Sequence, residues 1–291
     1  MSYSSNHLVA TFSVVGYDPA TGEIGVAVQS KFLGVGSVVP WAKAGVGAVA
    51  TQSLANPSYG PRGLSLLEQG VEPEEVIKHL INEDSGRDMR QVGIVDARGG
   101  SATYTGVNCY SYAGGHASDN YAVQGNILVG VETIQAMAEA FEKTSGSLAN
   151  RLLKSLNEGQ QAGGDKRGKQ SAALYVVKEQ GGYGGYNDRF IDLRVDDHED
   201  PIRELYRIYH LQQLYFGVTK EENIAEIKGE VKEELREQLK RLGYIPTVHV
   251  VDSILYKNFT AFLHRENFEE RELEEGLIDL EVLDFMKYKS I

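Results

Sequence analysis

The fold is decided by the run His7-Leu-Val-Ala-Thr-Phe-Ser-Val-Val-Gly-Tyr-Asp-Pro-Ala-Thr-Gly-Glu-Ile-Gly-Val-Ala-Val-Gln-Ser-Lys31. Two β-rich segments, residues 11–15 and 24–29, flank Asp18-Pro-Ala-Thr-Gly22, where Pro19 fixes φ and Gly22 supplies a positive φ. The spacing predicts a hairpin with Thr11 at the head of its first strand. A threonine hydroxyl is a poor nucleophile unless a base takes its proton, and a free α-amine on the same residue, with a pKa near ~8, can do so. While Ala10 precedes Thr11 that nitrogen is an amide, so such chemistry requires removal of residues 1–10. The plainer reading is a β-branched strand residue with no chemical role.

Working outward, 291 residues can hold one large domain, or a medium domain and a small one. The formal charge of −12 argues against a phosphate-backbone or anionic-membrane binder, whose surfaces need clustered Lys and Arg. One cysteine, Cys109, cannot close an internal disulfide. The first residues lack a basic start followed by an apolar core, and no later apolar run is long enough to span a bilayer. The expectation is a cytoplasmic protein with neither a nucleic-acid nor a membrane partner.

Downstream of the hairpin, residues 35–53 read as two strand-like pieces, the second being 45–52. Short amphipathic helices follow at 63–69 and 73–82, the latter with Pro73 in its first turn. Residues 91–96 and 101–105 form a second hairpin, 121–124 a strand, 132–143 and 148–158 two helices, and 171–178 and 190–195 two more strands. This is a layered α+β pattern. Composition changes at about Asp200, where glycine gives way to Glu, Lys, Leu and Tyr at helical spacing. We therefore divide the chain into 1–217 and a small helical domain at 218–291, with helices expected at 201–216 and 222–242 and further elements at 248–264 and 273–287.

Other candidates have plain explanations. Gly45-x-Gly47 and Gly181-Gly-Tyr-Gly-Gly185 lack the helix start and the Lys-Ser/Thr ending of a phosphate loop. The seven histidines are scattered without ligand spacing, so no metal or other cofactor is expected. Ser30 beside Lys31 is a Ser-Lys pair in sequence, yet adjacent strand residues point to opposite faces. Cys109 has no identifiable activating neighbour.

Several stretches carry a resemblance: Thr11-Phe-Ser-Val-Val, Gly25-Val-Ala-Val-Gln-Ser-Lys31, Val38-Val-Pro-Trp-Ala-Lys-Ala-Gly-Val-Gly-Ala-Val-Ala-Thr-Gln52, Asn56-Pro-Ser-Tyr-Gly-Pro-Arg-Gly63, Tyr121-Ala-Val-Gln-Gly-Asn126, Gly163-Gly-Asp-Lys-Arg-Gly-Lys-Gln-Ser-Ala-Ala173 and Asp192-Leu-Arg-Val-Asp-Asp-His198. On these the chain resembles an uncharacterised family of the Ntn-hydrolase superfamily, the N-terminal-nucleophile amidohydrolases that include proteasome subunits. The resemblance implies a four-layer αββα sandwich and an amidohydrolase acting on a small-molecule or peptide amide, with Thr11 as nucleophile. By strand order it gives Lys43 the electrostatic role, with Lys31 as the alternative. It places Asn126 where relatives carry a serine, and Asp165 with Ser171 where they carry an Asp and Ser near the nucleophile, at a longer spacing here. Ser30, Gln52, Ser53 and Arg167 complete the expected substrate-binding set, with backbone N–H groups near residues 51–53 or Asn126 holding an oxyanion. Residues 220–291 resemble a domain family named for peptidoglycan binding. That implies a cell-wall fragment as partner, although Tyr244, Tyr256, Phe259, Phe262, Phe268, Phe285 and Tyr288 read equally well as core. A non-catalytic binding protein with the same fold, or a homo-oligomer assembled through the tail, remains the alternative.

Overall fold

The expected hairpin forms: β1 (Thr11–Tyr17) and β2 (Ile24–Ser30) pair antiparallel, with Thr11 opposite Ser30 and Tyr17 opposite Ile24. The structure, a computed structural model, describes residues 11–290, so His7 to Ala10 and the leader before them lie outside the described residues. The turn is local chemistry. Asp18 Oδ1 accepts the Ala20 N–H at 2.9 Å, the Gly22 N–H returns to the Asp18 carbonyl at 2.8 Å, and Gly22 has φ 73°.

The first of two compact units extends to Arg207. Its further strands are β3 (Pro40–Lys43), β4 (Gly47–Ser53), β5 (Arg90–Asp96), β6 (Ser101–Thr105), β7 (Gly114–Ser118), β8 (Tyr121–Gly125), β9 (Ser171–Val177) and β10 (Arg189–Val195). They make a six-stranded sheet, β10-β9-β2-β1-β8-β7, and a four-stranded one, β3-β4-β5-β6, with antiparallel pairing throughout. Helices α1 (Tyr59–Glu68) and α2 (Pro73–Asn82) pack on the four-stranded sheet, and α3 (Glu132–Lys143) and α4 (Leu148–Gln161) serve the six-stranded one. Pro73 opens α2 ahead of Glu74 and Glu75, and the Ser147 hydroxyl caps α4 by accepting from the Asn150 N–H.

Both faces of β1 are buried, which is why its apolar residues do not simply alternate with polar ones. Val15, Val26 and Val28 meet Ala48, Ala50 and Val95 of the other sheet, while Phe12 approaches α3 and α4. Small residues let the sheets come close. At Gly93 a Cβ would stand 1.9 Å from Gln124 Oε1, so any larger residue would displace that amide.

The second unit runs from Ile208 and is mainly helical. Helix α5 (Pro201–Phe216) leads into it, followed by α6 (Gly229–Arg241), α7 (Asp252–Arg265) and α8 (Leu280–Tyr288), with β11 (Ile224–Glu226) paired to β12 (Leu277–Asp279). Helix α6 starts later than its charge pattern suggests because Gly229 has φ 52°; Gly276, at φ 96°, likewise separates 273–275 from β12. Phe259, Phe262 and Phe268 are core, whereas Tyr288 is exposed. Buried Arg271 ties the unit together, reaching Asp279 at 2.6 Å and the Gln213 and Leu214 carbonyls at 2.7 and 2.8 Å, while Asp279 caps α8.

Strand β7 was not expected, since Gly-Gly-His-Ala-Ser carries no apolar alternation; it pairs with β8 through its backbone at the sheet edge. Overall the chain is α+β, with antiparallel sheets and eight α-helices among the described residues, none long and apolar enough to cross a membrane.

Glu23, just past the hairpin turn, is buried 3.7 Å from Lys178 Nζ, and one carboxylate oxygen has no hydrogen-bond partner among the described residues. Burial raises its pKa above 4.5, with Lys178 opposing. The folded state therefore favours the protonated form, so stability from this group is present below the unfolded pKa and is lost as pH rises through the folded one. Glu23→Gln is expected to raise the urea midpoint at pH ~7, with the gain vanishing toward pH ~4; a lower midpoint at neutral pH contradicts this.

Candidate active site

Alternation along β1 turns Thr11, Ser13 and Val15 toward the four-stranded sheet. The Thr11 hydroxyl donates to the Ser30 hydroxyl at 3.2 Å, its strand partner. Its carbonyl accepts from Gln52 Nε2 at 3.3 Å and from the Asn126 backbone N–H at 3.0 Å. Thr11, Ser30, Gln52 and Asn126 are all fully buried. Ser171 lies opposite Ser30 on β9, so three hydroxyl residues form a row across the sheet. The Ser171 oxygen serves the backbone, donating to the Phe32 carbonyl and accepting the Val35 N–H, which pins the turn after β2.

Thr11 borders an uncharged hydrogen-bond array between the sheets. Ser13 donates to Gln52 Oε1 at 2.6 Å and accepts from Gln124 Nε2 at 2.7 Å. Gln52 and Asn126 both donate to Gln91 Oε1, at 2.8 and 2.9 Å, and Gln91 Nε2 donates to the Gly125 carbonyl and the Thr105 hydroxyl. Ser13, Gln91 and Gln124 were missed from sequence. Their signal was a polar side chain in an otherwise apolar strand, which the eye takes for a solvent face. Asn126 Oδ1 and Gln124 Oε1 are buried without a hydrogen-bond partner among the described residues.

Asp165 closes one side. Its fully buried carboxylate pairs with Arg167 at 3.0 Å, takes the Arg167 N–H at 2.9 Å and accepts the Lys31 N–H at 3.3 Å. This is not the exposed pair that a Gly-rich loop suggests; it binds that loop to the end of β2. The Lys31 ammonium lies at the surface, donating to the Lys169 carbonyl at 3.3 Å.

Three expected placements need correction. Lys43 is not brought to Thr11: it is exposed, ion-paired with Glu68 on α1, and stands opposite Gly47, five residues and roughly 17 Å of strand from Gln52. Matching by strand order carries no information about which end or face a residue occupies. Ser53, with φ 68°, faces the Cys109 thiol instead, whose pKa burial pushes up, as expected of an inert thiol. The Asn126 N–H is already spent on the Thr11 carbonyl, so it is no open oxyanion donor here.

Two clefts open elsewhere in this unit. One, about 460 Å³, includes Lys43, Tyr175 and Arg189; the other, about 260 Å³, includes Glu68, Asp96 and Arg98. Neither is lined by Thr11 or its neighbours. Among the described residues, no group of three or more His, Cys, Asp or Glu is placed to hold a metal.

Residues 11–205 match the model of the Family of unknown function (DUF1028). The chain belongs to this family. Residues 215–286 match a second family, described as Putative peptidoglycan binding domain. Within DUF1028, the crystal structure of protein SPO2555 from Silicibacter pomeroyi is similar at 29% identity and a TM-score of 0.65, over 77% of this chain and 89% of that one. Anbu (ancestral beta-subunit) from Yersinia bercovieri is matched over 69% of this chain and 93% of that one, at 11% identity and a TM-score of 0.31, too low to carry an argument. No curated protein matches the chain. The DUF1028 match opens at Thr11, the residue at the head of β1.

If the array holds the sheets in register, Gln52→Leu strands the Ser13 and Gln91 groups it now pairs and is expected to cost about 2–3 kcal/mol in urea unfolding. Lys43→Met, at an exposed pair, should change stability by no more than about 0.5 kcal/mol. Equal effects of the two would refute this ranking.

Proposed function

We propose that residues 1–217 are a latent amidohydrolase of the N-terminal-nucleophile type, with the sheets and helices in an αββα arrangement, and that residues 218–291 form a separate domain directed at cell-wall fragments. The observation that carries the reading is the Thr11 hydroxyl on the Ser30 hydroxyl, at the head of a central strand and beside an array of amides and hydroxyls. That the DUF1028 match begins at this residue supports it.

In the full-length chain the Thr11 nitrogen is an amide and the hydroxyl is buried, so the reaction awaits removal of residues 1–10. Once free, the amine takes the hydroxyl proton as Oγ1 bonds to the carbonyl carbon of a small or peptide amide. The proton then passes to the leaving amine as the C–N bond breaks. Water, deprotonated by the same amine, cleaves the resulting ester and regenerates threonine. Ser30 orients the hydroxyl, Lys31 supplies positive charge at the rim, and Asp165 with Arg167 fixes the loop beside it. With the amine as the base, hydrolysis should rise with pH through its titration, whose unperturbed pKa is near ~8.

A second reading, a non-catalytic binding protein, is favoured by two observations: Lys43 faces Glu68, and neither of the two clefts described reaches Thr11. Intact-mass spectrometry separates the two. The hydrolase reading expects a species lacking residues 1–10 that takes up an electrophilic amide probe at Thr11, while Thr11→Ala folds normally and does neither. A wild-type chain that stays full length and unlabelled leaves the binding reading.

A further inference from the structure

Gln29 is a fully buried polar side chain that the array between the sheets does not use. Thr11 and Ser13 face the four-stranded sheet, so Phe12 between them faces the helices. Gln29, the strand partner of Phe12, shares that face, as does Ala172 on its other side. Neither Oε1 nor Nε2 of Gln29 has a hydrogen-bond partner among the described residues. An amide with both ends unmet is among the costlier defects a core can hold, and native cores rarely keep one.

Helix α4 roofs this row. Leu152 stands over Gly25, where a Cβ would lie 3.0 Å from Leu152 Cδ1, and a Cβ at Gly159 would lie 3.5 Å from Phe12 Cε2. The helix therefore runs along β2 toward Lys31, and Gln160, the residue after Gly159, arrives at the Phe12–Gln29 row. Gln160 Oε1 is a third buried atom without a partner among the described residues, and its amide lies against Gly164, whose Cβ would be 2.9 Å from Gln160 Nε2. Asp165 closes the end of the layer by accepting the Lys31 N–H at 3.3 Å, two residues beyond Gln29. Ala172 and Gly164, with little or no side chain, leave room beside the amides. Neither of the two clefts described is lined by Gln29 or Gln160.

The unmet atoms are two acceptors and one donor, all uncharged. A cation suits the oxygens and is repelled by the Nε2 hydrogens, and an anion does the reverse, whereas water both donates and accepts. We propose that this layer binds a pair of buried waters. One donates to Gln29 Oε1 and to Gln160 Oε1; the other accepts from Gln29 Nε2 and donates to the first. The pair ties the end of β2 to α4 from behind the residue next to Ser30, and it is independent of any chemistry at Thr11.

Oxygen-17 magnetic relaxation dispersion on the full-length chain counts waters held for longer than the protein takes to tumble. Gln29→Leu is expected to lose two such waters relative to the wild type and Gln160→Leu at least one, while Gln161→Leu, at an exposed position on the same helix, loses none. An unchanged count in Gln29→Leu overturns the proposal. Should that variant fail to fold, a crystal structure of the wild-type chain decides. Water within about 3.2 Å of both ends of the Gln29 amide supports the pair, and an amide bonded directly to protein groups, or left dry, overturns it. None of these outcomes alters the mass-spectrometric test of Thr11, whose failure would leave the waters where they are.

Discussion

The hydrogen bond from Ser13 to Gln52 across the two sheets is the contact on which the candidate site rests. Alanines and glycines on the facing surfaces bring the sheets close enough that polar side chains between them cannot reach bulk water, and a buried polar group without a partner costs about 1–3 kcal/mol. The amides of Gln52, Gln91, Gln124 and Asn126 answer that demand by bonding to one another and to the backbone. The Thr11 carbonyl is drawn into the same array, so the start of β1 is fixed by the packing of the sheets rather than by its neighbours in sequence.

An array of amides and hydroxyls has no group that titrates near neutrality. It can position the Thr11 hydroxyl, and it cannot take its proton. The proposed base is the α-amine of Thr11 itself, which ties the proposed reactivity to the state of the Ala10–Thr11 bond. The charged residues are kept outside this array: Asp165 is satisfied by Arg167 and the Lys31 N–H, and Lys43 is engaged with Glu68 at the other end of β4. The unit thus has a closed polar end at Thr11.

Local pattern revealed much of this architecture. Pro19 and Gly22 announce the hairpin, Pro73 the start of α2, and the apolar spacing in 132–143 and 148–158 the helices α3 and α4. What local pattern could not reveal was pairing at long range. Ser13 finds Gln52 39 residues away and Gln124 111 away, and nothing in either neighbourhood marks the partner. Lys43 illustrates a second limit. It was assigned by strand order, but the end of the strand it occupies and the side that faces Glu68 are set by pairing with Gly47. Gly114–Ser118 becomes a strand because β8 offers a free edge, and the front of the predicted 222–242 helix is cut away by the positive φ of Gly229.

The central claim is that the amides between the sheets form a dry, fixed array at the head of β1. Hydrogen exchange of the side-chain NH₂ groups of Gln52, Gln91 and Gln124, followed by NMR in the full-length chain, tests it most directly. The account predicts that all three exchange only with global unfolding, at rates that track urea stability. Exchange on the timescale of exposed amides, with β1 backbone protons still protected, would contradict it.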